Sequence, residues 1–319
     1  MVSNGRMWWR QGEAARAFGM ARQIVVVTDI QDGSAETGAR SLRDERAGLG
    51  FLMSHGIPLV IRSRRTRAEI ERLRRTLGLV TPFISEHGSA LFLPRGCFPF
   101  VTDSARPALG GEVIAFGKPH DEILNALMAA TREVKADIVT VSDLPIPDAA
   151  RELAISTIEA QVAKHREYTE LFRLADDNAL ILSRLINALR RRGIRCVPHG
   201  RHQLATATPD CADSLLTLRK LWRLTWGDHV MIGLGDNEDD VDWLQHVDIP
   251  IIVQSDRPNV PGRAVATLPT AHVTRWPGEH GWSEAILHSV GTLLTPRGDL
   301  RIGRGEGQAL DSVAEGWPG

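Results

Sequence analysis

Cysteine is scarce in this chain, which has only Cys97, Cys196 and Cys211. The three lie far apart, without the short paired spacing of a zinc site or a disulfide framework. Sparse, odd-numbered cysteines are typical of proteins in a reducing compartment. The sequence therefore predicts a cytoplasmic protein without structural disulfides.

Long apolar runs are also missing. No stretch reaches the roughly eighteen consecutive apolar residues that a transmembrane helix needs. The first twenty residues contain Trp8, Trp9, Arg10 and Glu13 where a signal peptide would have a continuous apolar core. We therefore expect no membrane partner.

The chain lacks an excess of charge, since its formal net charge is −1. Non-specific nucleic-acid binding needs a strong positive field, so no nucleic-acid partner is expected. Arginines do cluster, but Glu69 and Glu71 interleave with them, which indicates a solvated helix face. The arginines of this run are Arg62, Arg64, Arg65, Arg67, Arg72, Arg74 and Arg75.

What the chain does contain is enough apolar material for a core, with 43% hydrophobic residues in 319. That length favours about two domains. We predict an α/β core interrupted by an α+β insert, with a polar, Gly-rich flexible tail. The predicted segments are an N-terminal extension (1–21), the first part of the core (22–94), the insert or cap (95–207), the second part of the core (208–294) and the tail (295–319). Met20 is an alternative start to Met1.

Apolar strands alternate with helical patterns, the order expected of a parallel sheet with right-handed crossovers. In the core we predict strands at 24–28, 57–61 and 230–234, two short strands within 82–94, a last strand at 249–253, and helices at 39–55, 67–77 and 213–225. In the insert we predict strands at 112–116, 194–197 and 202–207 and helices at 121–134, 148–153, 158–165 and 179–192.

Two of the apolar strands run directly into acidic loops. The first is followed by Asp29 and Asp32, and the strand at 230–234 is followed by Asp236 and Asp240. Carboxylates at the carboxyl edge of a parallel sheet suit Mg²⁺, which prefers oxygen ligands and retains substrate phosphate in its shell. We predict one metal-phosphate site built from both loops; two solvated acidic turns are the alternative.

Five motifs occur in the order of one known family. Residues 63–69 (Ser-Arg-Arg-Thr-Arg-Ala-Glu) are similar to its Thr-Ser-Lys-Thr-Arg-Ala-Glu, and 83–90 to its Phe-Ile-x-Glu-Asn-Gly-Ala-Ala. Residues 166–172 are similar to its Arg-Glu-Tyr-Ser-Glu-Pro-Phe, 234–240 to its Leu-Gly-Asp-Ser-Pro-Asn-Asp, and 281–285 to its Gly-Trp-x-Glu-Ala. The chain thus resembles the mannosyl-3-phosphoglycerate phosphatases of the haloacid dehalogenase superfamily.

The resemblance implies a Rossmannoid parallel-sheet core with an inserted α+β cap. It also implies that Asp29 is the nucleophile, forming an aspartyl-phosphate, and that Asp32 is the general acid and later the base. Ser63 would hydrogen-bond a phosphoryl oxygen. Mg²⁺ would be held within the set of Asp29, Asp32, Asp236 and Asp240, the last as a ligand or as a support for the ligands.

The implied reaction is hydrolysis of mannosyl-3-phosphoglycerate to mannosylglycerate, with a small-molecule sugar phosphate as the partner and the oligomeric state left open. Arg64 and Arg65 are candidates for binding phosphate, and Arg166 and Arg201 for binding the glycerate carboxylate, because a guanidinium fork binds such anions at two points. Two alternatives stay open: a catalytically impaired relative that binds a sugar phosphate in a regulatory role, and an active phosphatase with another sugar phosphate.

The chain departs from the family pattern in its first motif. The family reads Asp-x-Asp-Gly-Thr, whereas this loop, Asp29-Ile-Gln-Asp32-Gly-Ser, is one residue longer. If Asp32 keeps its place without a bulge, Ile30 falls at the nucleophile position. If Asp29 keeps its place without a bulge, Gln31 falls at the position of the general acid. We favour Asp29 at the strand end with a local bulge, because the strand at 24–28 leads directly into it.

The third motif departs as well. Asp213 stands where the family has a lysine, and a carboxylate has the wrong sign to bind phosphate. Lys220 lies two helical turns further along, and Arg64 or Arg65 could approach from the second loop. The simpler interpretation of Lys220 is a surface lysine.

Overall fold

The structure of the chain is a computed structural model, and it describes most of the predicted core and insert. The described residues are 23–29, 46–100, 104–208, 210–254 and 266–294. Asp32, the predicted extension and tail, and the first part of the helix predicted at 39–55 lie outside these ranges.

The strands form two separate sheets. In chain order they are β1 (Gln23–Asp29), β2 (Leu59–Arg62), β3 (Phe83–Ser85), β4 (Ala90–Pro94), β5 (Arg106–Ala108), β6 (Gly111–Ala115), β7 (Ile138–Thr140), β8 (Thr169–Leu174), β9 (Arg195–His199), β10 (His202–Thr206), β11 (His229–Gly235), β12 (Ile249–Gln254) and β13 (His272–Pro277). The larger sheet has the order β13-β12-β11-β1-β2-β3-β4-β6-β5, and the smaller one β7-β8-β10-β9. The larger sheet is parallel from β13 to β3 and antiparallel beyond.

Helices connect these strands. They are α1 (Arg46–Ser54), α2 (Arg67–Leu77), α3 (His120–Val134), α4 (Ile146–Leu153), α5 (Thr157–Ala163), α6 (Ala179–Arg191), α7 (Asp213–Trp226), α8 (Val241–Leu244) and α9 (Gly278–Leu294). The start of α2 shows how the sequence sets such a boundary. The Thr66 side chain accepts from the Glu69 amide, and the Glu69 carboxylate accepts from the Thr66 amide, which satisfies two amides at the first turn.

Strand β1 is buried on both faces, as its run of valines predicts for a parallel strand between helical layers. Val25 and Val27 pack in one apolar cluster with Trp222 of α7. Val26, which points to the other face, packs in a second cluster with Trp282 of α9. This alternation decides which side chains at the end of the strand face α7.

The smaller sheet is antiparallel and belongs to the insert. Phe172 of β8 packs with Ile123 and Leu127 of α3 and Leu185 of α6, so two helices cover one face of this sheet. The structure thus has the predicted α/β class, with a mainly parallel core sheet and a second α+β layer.

Parts of the predicted organisation differ from the structure. Strands β5 and β6 fall inside the predicted cap (95–207), yet β6 pairs antiparallel with β4 and both join the larger sheet. The strand at 249–253 is not the last, because β13 and α9 follow it. Strand β13 lies at the edge of the sheet and is mostly exposed. It therefore has no run of apolar residues from which the sequence could predict a strand. The division into domains stays a prediction.

Among the described residues, no helix has the length and apolarity to cross a bilayer. Cys97, Cys196 and Cys211 are free, and Cys97 and Cys211 are buried. The cytoplasmic location stays a prediction.

Candidate active site

The ends of β1, β2 and β11 bring one buried guanidinium between two carboxylates. Asp29 pairs in register with Arg62 on one side, while Thr28 pairs with Leu234 on the other. Arg62 Nη1 lies 3.8 Å from Asp29 Oδ2 and 3.6 Å from Asp240 Oδ1. The three side chains are 4% exposed or less. The two acidic loops of the sequence therefore meet at one edge of the sheet.

Asp240 organises the loop that carries Asp236. Its Oδ2 accepts hydrogen bonds of 3.0 Å from the amides of Asp236 and Asn237, and its Oδ1 accepts one of 2.9 Å from Trp243 Nε1. A Cβ on Gly235 would lie 2.6 Å from the Cβ of Asp240, so only glycine leaves room for this fold of the loop. Asp240 thereby fixes the backbone of Asp236 at the end of β11.

The electrostatics of Asp29 follow from this packing. Burial raises the pKa of Asp29 well above its usual value, and the charge of Asp240 adds to the rise, while Arg62 opposes it. Because nearby positive charge stabilises a carboxylate, a cation placed here would favour the nucleophilic form of Asp29.

The carboxylates at this edge of the sheet could supply some of the oxygen ligands of a hard cation. Asp29 Oδ1 is buried and has no hydrogen-bond partner, and Asp236 follows the neighbouring strand. Carboxylate oxygens of this kind are the ligands that Mg²⁺ prefers. Within the described ranges no three acidic, histidine or cysteine side chains converge as a metal cluster, and Asp32 lies outside those ranges. The described residues thus provide part of a ligand set.

Ser63 lies at the same edge, directly after Arg62. It is buried, its amide donates to the carbonyl of Ile84 at 3.0 Å, and its carbonyl accepts from the amide of His87 at 3.1 Å. Its Oγ accepts from the amide of Arg65 at 3.2 Å. These bonds fix the Ser63 backbone next to Asp29, where the family's phosphate-binding hydroxyl is expected.

Arg64 and Arg166 gather beside Ser63 from the core and the insert. Arg166 Nη1 donates to the Arg64 carbonyl at 3.3 Å and to Thr169 Oγ1 at 2.9 Å. Arg64 donates to the carbonyl of Pro198 at 3.2 Å and forms an ion pair with Asp239. Arg166 Nε is buried without a hydrogen-bond partner. Positive charge thus collects at the interface between the two sheets.

Arg201 has a different environment. Its Nη2 donates to the Glu152 carbonyl at 2.7 Å and lies 3.1 Å from Glu152 Oε1, a carboxylate that Arg173 also binds. The structure therefore places Arg201 against Glu152 and not against the Arg64–Arg166 pair.

The structure does not favour Lys220 as the missing phosphate-binding lysine. Lys220 is exposed on α7, while Asp213, at the expected lysine position, is the first residue of that helix.

Glu86 joins the core to the insert. It is fully buried in the turn after β3, at a left-handed φ of 48°. Its carboxylate accepts from the amides of Glu167 and Tyr168 at 2.8 and 3.0 Å, and from Thr169 Oγ1 at 2.6 Å. These three bonds fix the start of β8, and with it Arg166, next to the core.

The Gly-Trp-x-Glu-Ala motif supports β1 from the opposite face. Trp282 Nε1 donates to Thr28 Oγ1 at 3.0 Å, next to Asp29 in the chain. A Cβ on Gly281 would lie 2.0 Å from the Trp276 carbonyl oxygen, and Glu284 accepts from the amide of Arg275 at 3.0 Å. The motif therefore anchors the end of the strand that carries Asp29.

Arg62 is the residue that the sequence analysis missed. It was assigned to a solvated arginine run, but it is one of the most buried large side chains in the described structure. Its signal was its position at the end of an apolar strand, two residues after Val60, which packs in the cluster that includes α7. Side chains two apart in a strand share a face.

Comparisons with known proteins agree with this geometry. No family model matches the chain. A glucosyl-3-phosphoglycerate/mannosyl-3-phosphoglycerate phosphatase of Methanococcoides burtonii is 27% identical over 267 residues, or 84% of this chain and 97% of the relative. A protein of the same name from Persephonella marina is 27% identical over 268 residues, or 82% and 96%. A haloacid dehalogenase-like hydrolase from Bacteroides thetaiotaomicron matches the fold with a TM-score of 0.57, at 16% identity, over 84% of this chain and 99% of that chain.

Over more than four fifths of its length, the chain is similar to two phosphatases named for glucosyl-3-phosphoglycerate and mannosyl-3-phosphoglycerate. The predicted family, the haloacid dehalogenase-like fold and the class of phosphoric monoester hydrolase are thus confirmed. The longer first motif and Asp213 remain departures from the family pattern that the sequence resembles.

Proposed function

We propose that the chain is a Mg²⁺-dependent phosphatase that hydrolyses mannosyl-3-phosphoglycerate to mannosylglycerate through an aspartyl-phosphate. The observation that carries this proposal is the meeting of Asp29 and Asp240 around Arg62 at the carboxyl edge of the sheet. The similarity over more than four fifths of the chain to two proteins named glucosyl-3-phosphoglycerate/mannosyl-3-phosphoglycerate phosphatase supports a substrate of this class.

In the first step a carboxylate oxygen of Asp29 attacks phosphorus, and the bond from phosphorus to the glycerate oxygen breaks. Asp32 gives its proton to the departing oxygen. In the second step water attacks the aspartyl-phosphate, Asp32 takes up the proton, and phosphate leaves with Asp29 restored as a carboxylate. Covalent catalysis of this kind divides one difficult displacement into two easier ones, and proton transfer adds about 10²–10⁴ in rate.

Mg²⁺ would be held by Asp29 and Asp236, with Asp32 and Asp240 as further members of the set. When bound, it would offset the repulsion between the nucleophile and the phosphoryl group. Asp240 contributes by fixing the Asp236 loop through two amide hydrogen bonds. Ser63 Oγ would donate to a phosphoryl oxygen.

The glycerate carboxylate would bind Arg166, with Arg64 and Arg65 near the phosphate. Arg166 already contacts the backbone of Arg64, and its Nε is buried without a partner, so it can donate to an anion at that interface. Arg201 is bound to Glu152, which makes it a weaker candidate for this contact.

A second candidate function is a regulatory protein that binds a sugar phosphate without hydrolysing it. Asp213 at the expected lysine position favours this alternative, because a carboxylate near phosphate weakens stabilisation of the transition state.

The test is phosphate release from a panel of sugar phosphates in the presence of Mg²⁺. We expect release from mannosyl-3-phosphoglycerate that Asp29→Asn abolishes while the fold, measured by circular dichroism, is retained. Phosphate release from a different sugar phosphate of the panel, and not from mannosyl-3-phosphoglycerate, would mean that the proposed substrate is wrong. Binding without release from any member would support the regulatory alternative.

A further inference from the structure

Arg62 has unused hydrogen-bonding capacity in a buried place. Its side chain is 1% exposed, and its Nε and Nη2 have no hydrogen-bond partner. A buried charged donor without a partner is costly, so such groups are normally paired. The unpaired edge of Arg62 therefore suggests a ligand that accepts hydrogen bonds.

The contacts that Arg62 does make leave this edge available. Its distances to Asp29 and Asp240, 3.8 and 3.6 Å, are those of ion pairs and are too long for hydrogen bonds. Its guanidinium lies over the ring of Trp243, 5.1 Å from the centroid. Charge and the aromatic face thus hold the group in place.

The position of Arg62 relates it to the reacting atoms. Strands β1 and β2 are in register at Asp29 and Arg62, and Val27 and Val60, two residues earlier in each strand, share the apolar cluster that includes α7. The side chains of Asp29 and Arg62 therefore lie on the α7 face of the sheet. A phosphoryl group attacked by Asp29 would lie within reach of this guanidinium.

We propose that Arg62 is a catalytic residue that binds the phosphoryl group through Nε and Nη2. A guanidinium edge presents two parallel donors that match two oxygens of a phosphate. Arg62 would supply from β2 the positive charge that Asp213 cannot supply from the start of α7. The inference rests on the proposed function, because it takes the substrate to be a phosphomonoester.

The test measures the affinity of the full chain for inorganic phosphate by calorimetry with Mg²⁺ present. Arg62→Met should weaken phosphate binding about 10- to 100-fold, because two charge-assisted hydrogen bonds are lost. Arg62→Lys, which keeps the charge without the fork, should give an intermediate loss. Arg74→Met is the matched control, since Arg74 is also buried and lies over an aromatic ring, that of Phe83, 4.6 Å from its centroid. Its phosphate affinity should equal that of the wild type.

Phosphate affinity of Arg62→Met within twofold of the wild type would overturn the proposal and leave Arg62 as a structural partner of the two carboxylates. If Arg62→Met does not fold, Arg62→Lys decides, and an unchanged affinity in that variant overturns the proposal as well. The proposal is also overturned if the wild-type chain does not bind phosphate. A chain that binds phosphate through Arg62 but releases none from any sugar phosphate would overturn the proposed function alone.

Discussion

Removal of the Glu86 carboxylate should both destabilise the protein and weaken substrate binding. Glu86 is fully buried and accepts three hydrogen bonds from the first residues of the segment that leads into β8. Glu86→Ala would leave the amides of Glu167 and Tyr168 and the hydroxyl of Thr169 without their acceptor. Each unsatisfied buried donor costs about 1–3 kcal/mol, so we expect a total loss of about 3–5 kcal/mol after relaxation.

Two further variants serve as internal controls for the size of this stability loss. Glu86→Gln keeps one carbonyl oxygen, which can accept the two bonds now made by Oε2, so it should lose only about 1–2 kcal/mol. Thr169→Val removes one donor and leaves the two amides satisfied, so it should lose about 1 kcal/mol.

Urea unfolding followed by tryptophan fluorescence measures these losses, and steady-state kinetics measures KM. Because the Glu86 bonds hold Arg166 next to Arg64, KM for the sugar phosphate should rise in Glu86→Ala. A loss below 1 kcal/mol in Glu86→Ala, with KM unchanged, would refute the reasoning and show that the insert is held to the core by other contacts.

Three further outcomes are expected. Trp282→Phe should lower the free energy of unfolding by about 1–2 kcal/mol, because it removes the hydrogen bond to Thr28. Adding Thr28→Val to Trp282→Phe should cost little more, since the bond is already lost. Urea unfolding in which the losses of the two single variants add up in the double variant would contradict this. The hydrogen bond from Arg173 lowers the pKa of Glu152 to about 2, so its contribution to stability should be complete above the unfolded value of about 4.3 and lost as pH falls toward 2. Between about pH 4.3 and about pH 2, the melting temperature of Glu152→Gln should then fall less steeply than that of the wild type. Parallel plots of melting temperature against pH for the two proteins would count against the pairing of Glu152 with Arg173. Chelation of divalent cations should stop phosphate release, and added Mg²⁺ should restore it; full activity in chelator would exclude the proposed metal.

Much of the core could be predicted because its signals are local. The valine run of β1 indicates a strand buried on both faces, and the bounds of α2 agree because Thr66 and Glu69 form a capping box that the sequence displays directly. The acidic loops were predicted to meet because parallel strands end at a common edge, and Asp29 does lie beside Asp240.

The parts that sequence reasoning missed depend on tertiary contacts. Strand β8 begins where Glu86, more than eighty residues earlier, accepts its hydrogen bonds, and no local pattern shows that partner. Arg62 stands at the start of a run of arginines in the sequence, so composition assigned it to the solvent. Its pairing with Asp29 across two strands shows that it is buried, and composition does not reveal that contact.

The two positively charged parts of the site should be separable by experiment. Arg62 is held by contacts within the core, from β2, Asp29, Asp240 and the ring of Trp243. The position of Arg166, in contrast, depends on the bonds between Glu86 and the segment that leads into β8.

Glu86→Ala should therefore raise KM for the whole substrate and leave the affinity for inorganic phosphate unchanged. Arg62→Met should weaken both, since phosphate is common to the two ligands. Calorimetry with phosphate and steady-state kinetics with the sugar phosphate, run on both variants, measure this difference. Equal effects of Glu86→Ala on the two ligands would mean that the phosphoryl group is bound across the interface with the insert, and the core alone would not account for its recognition.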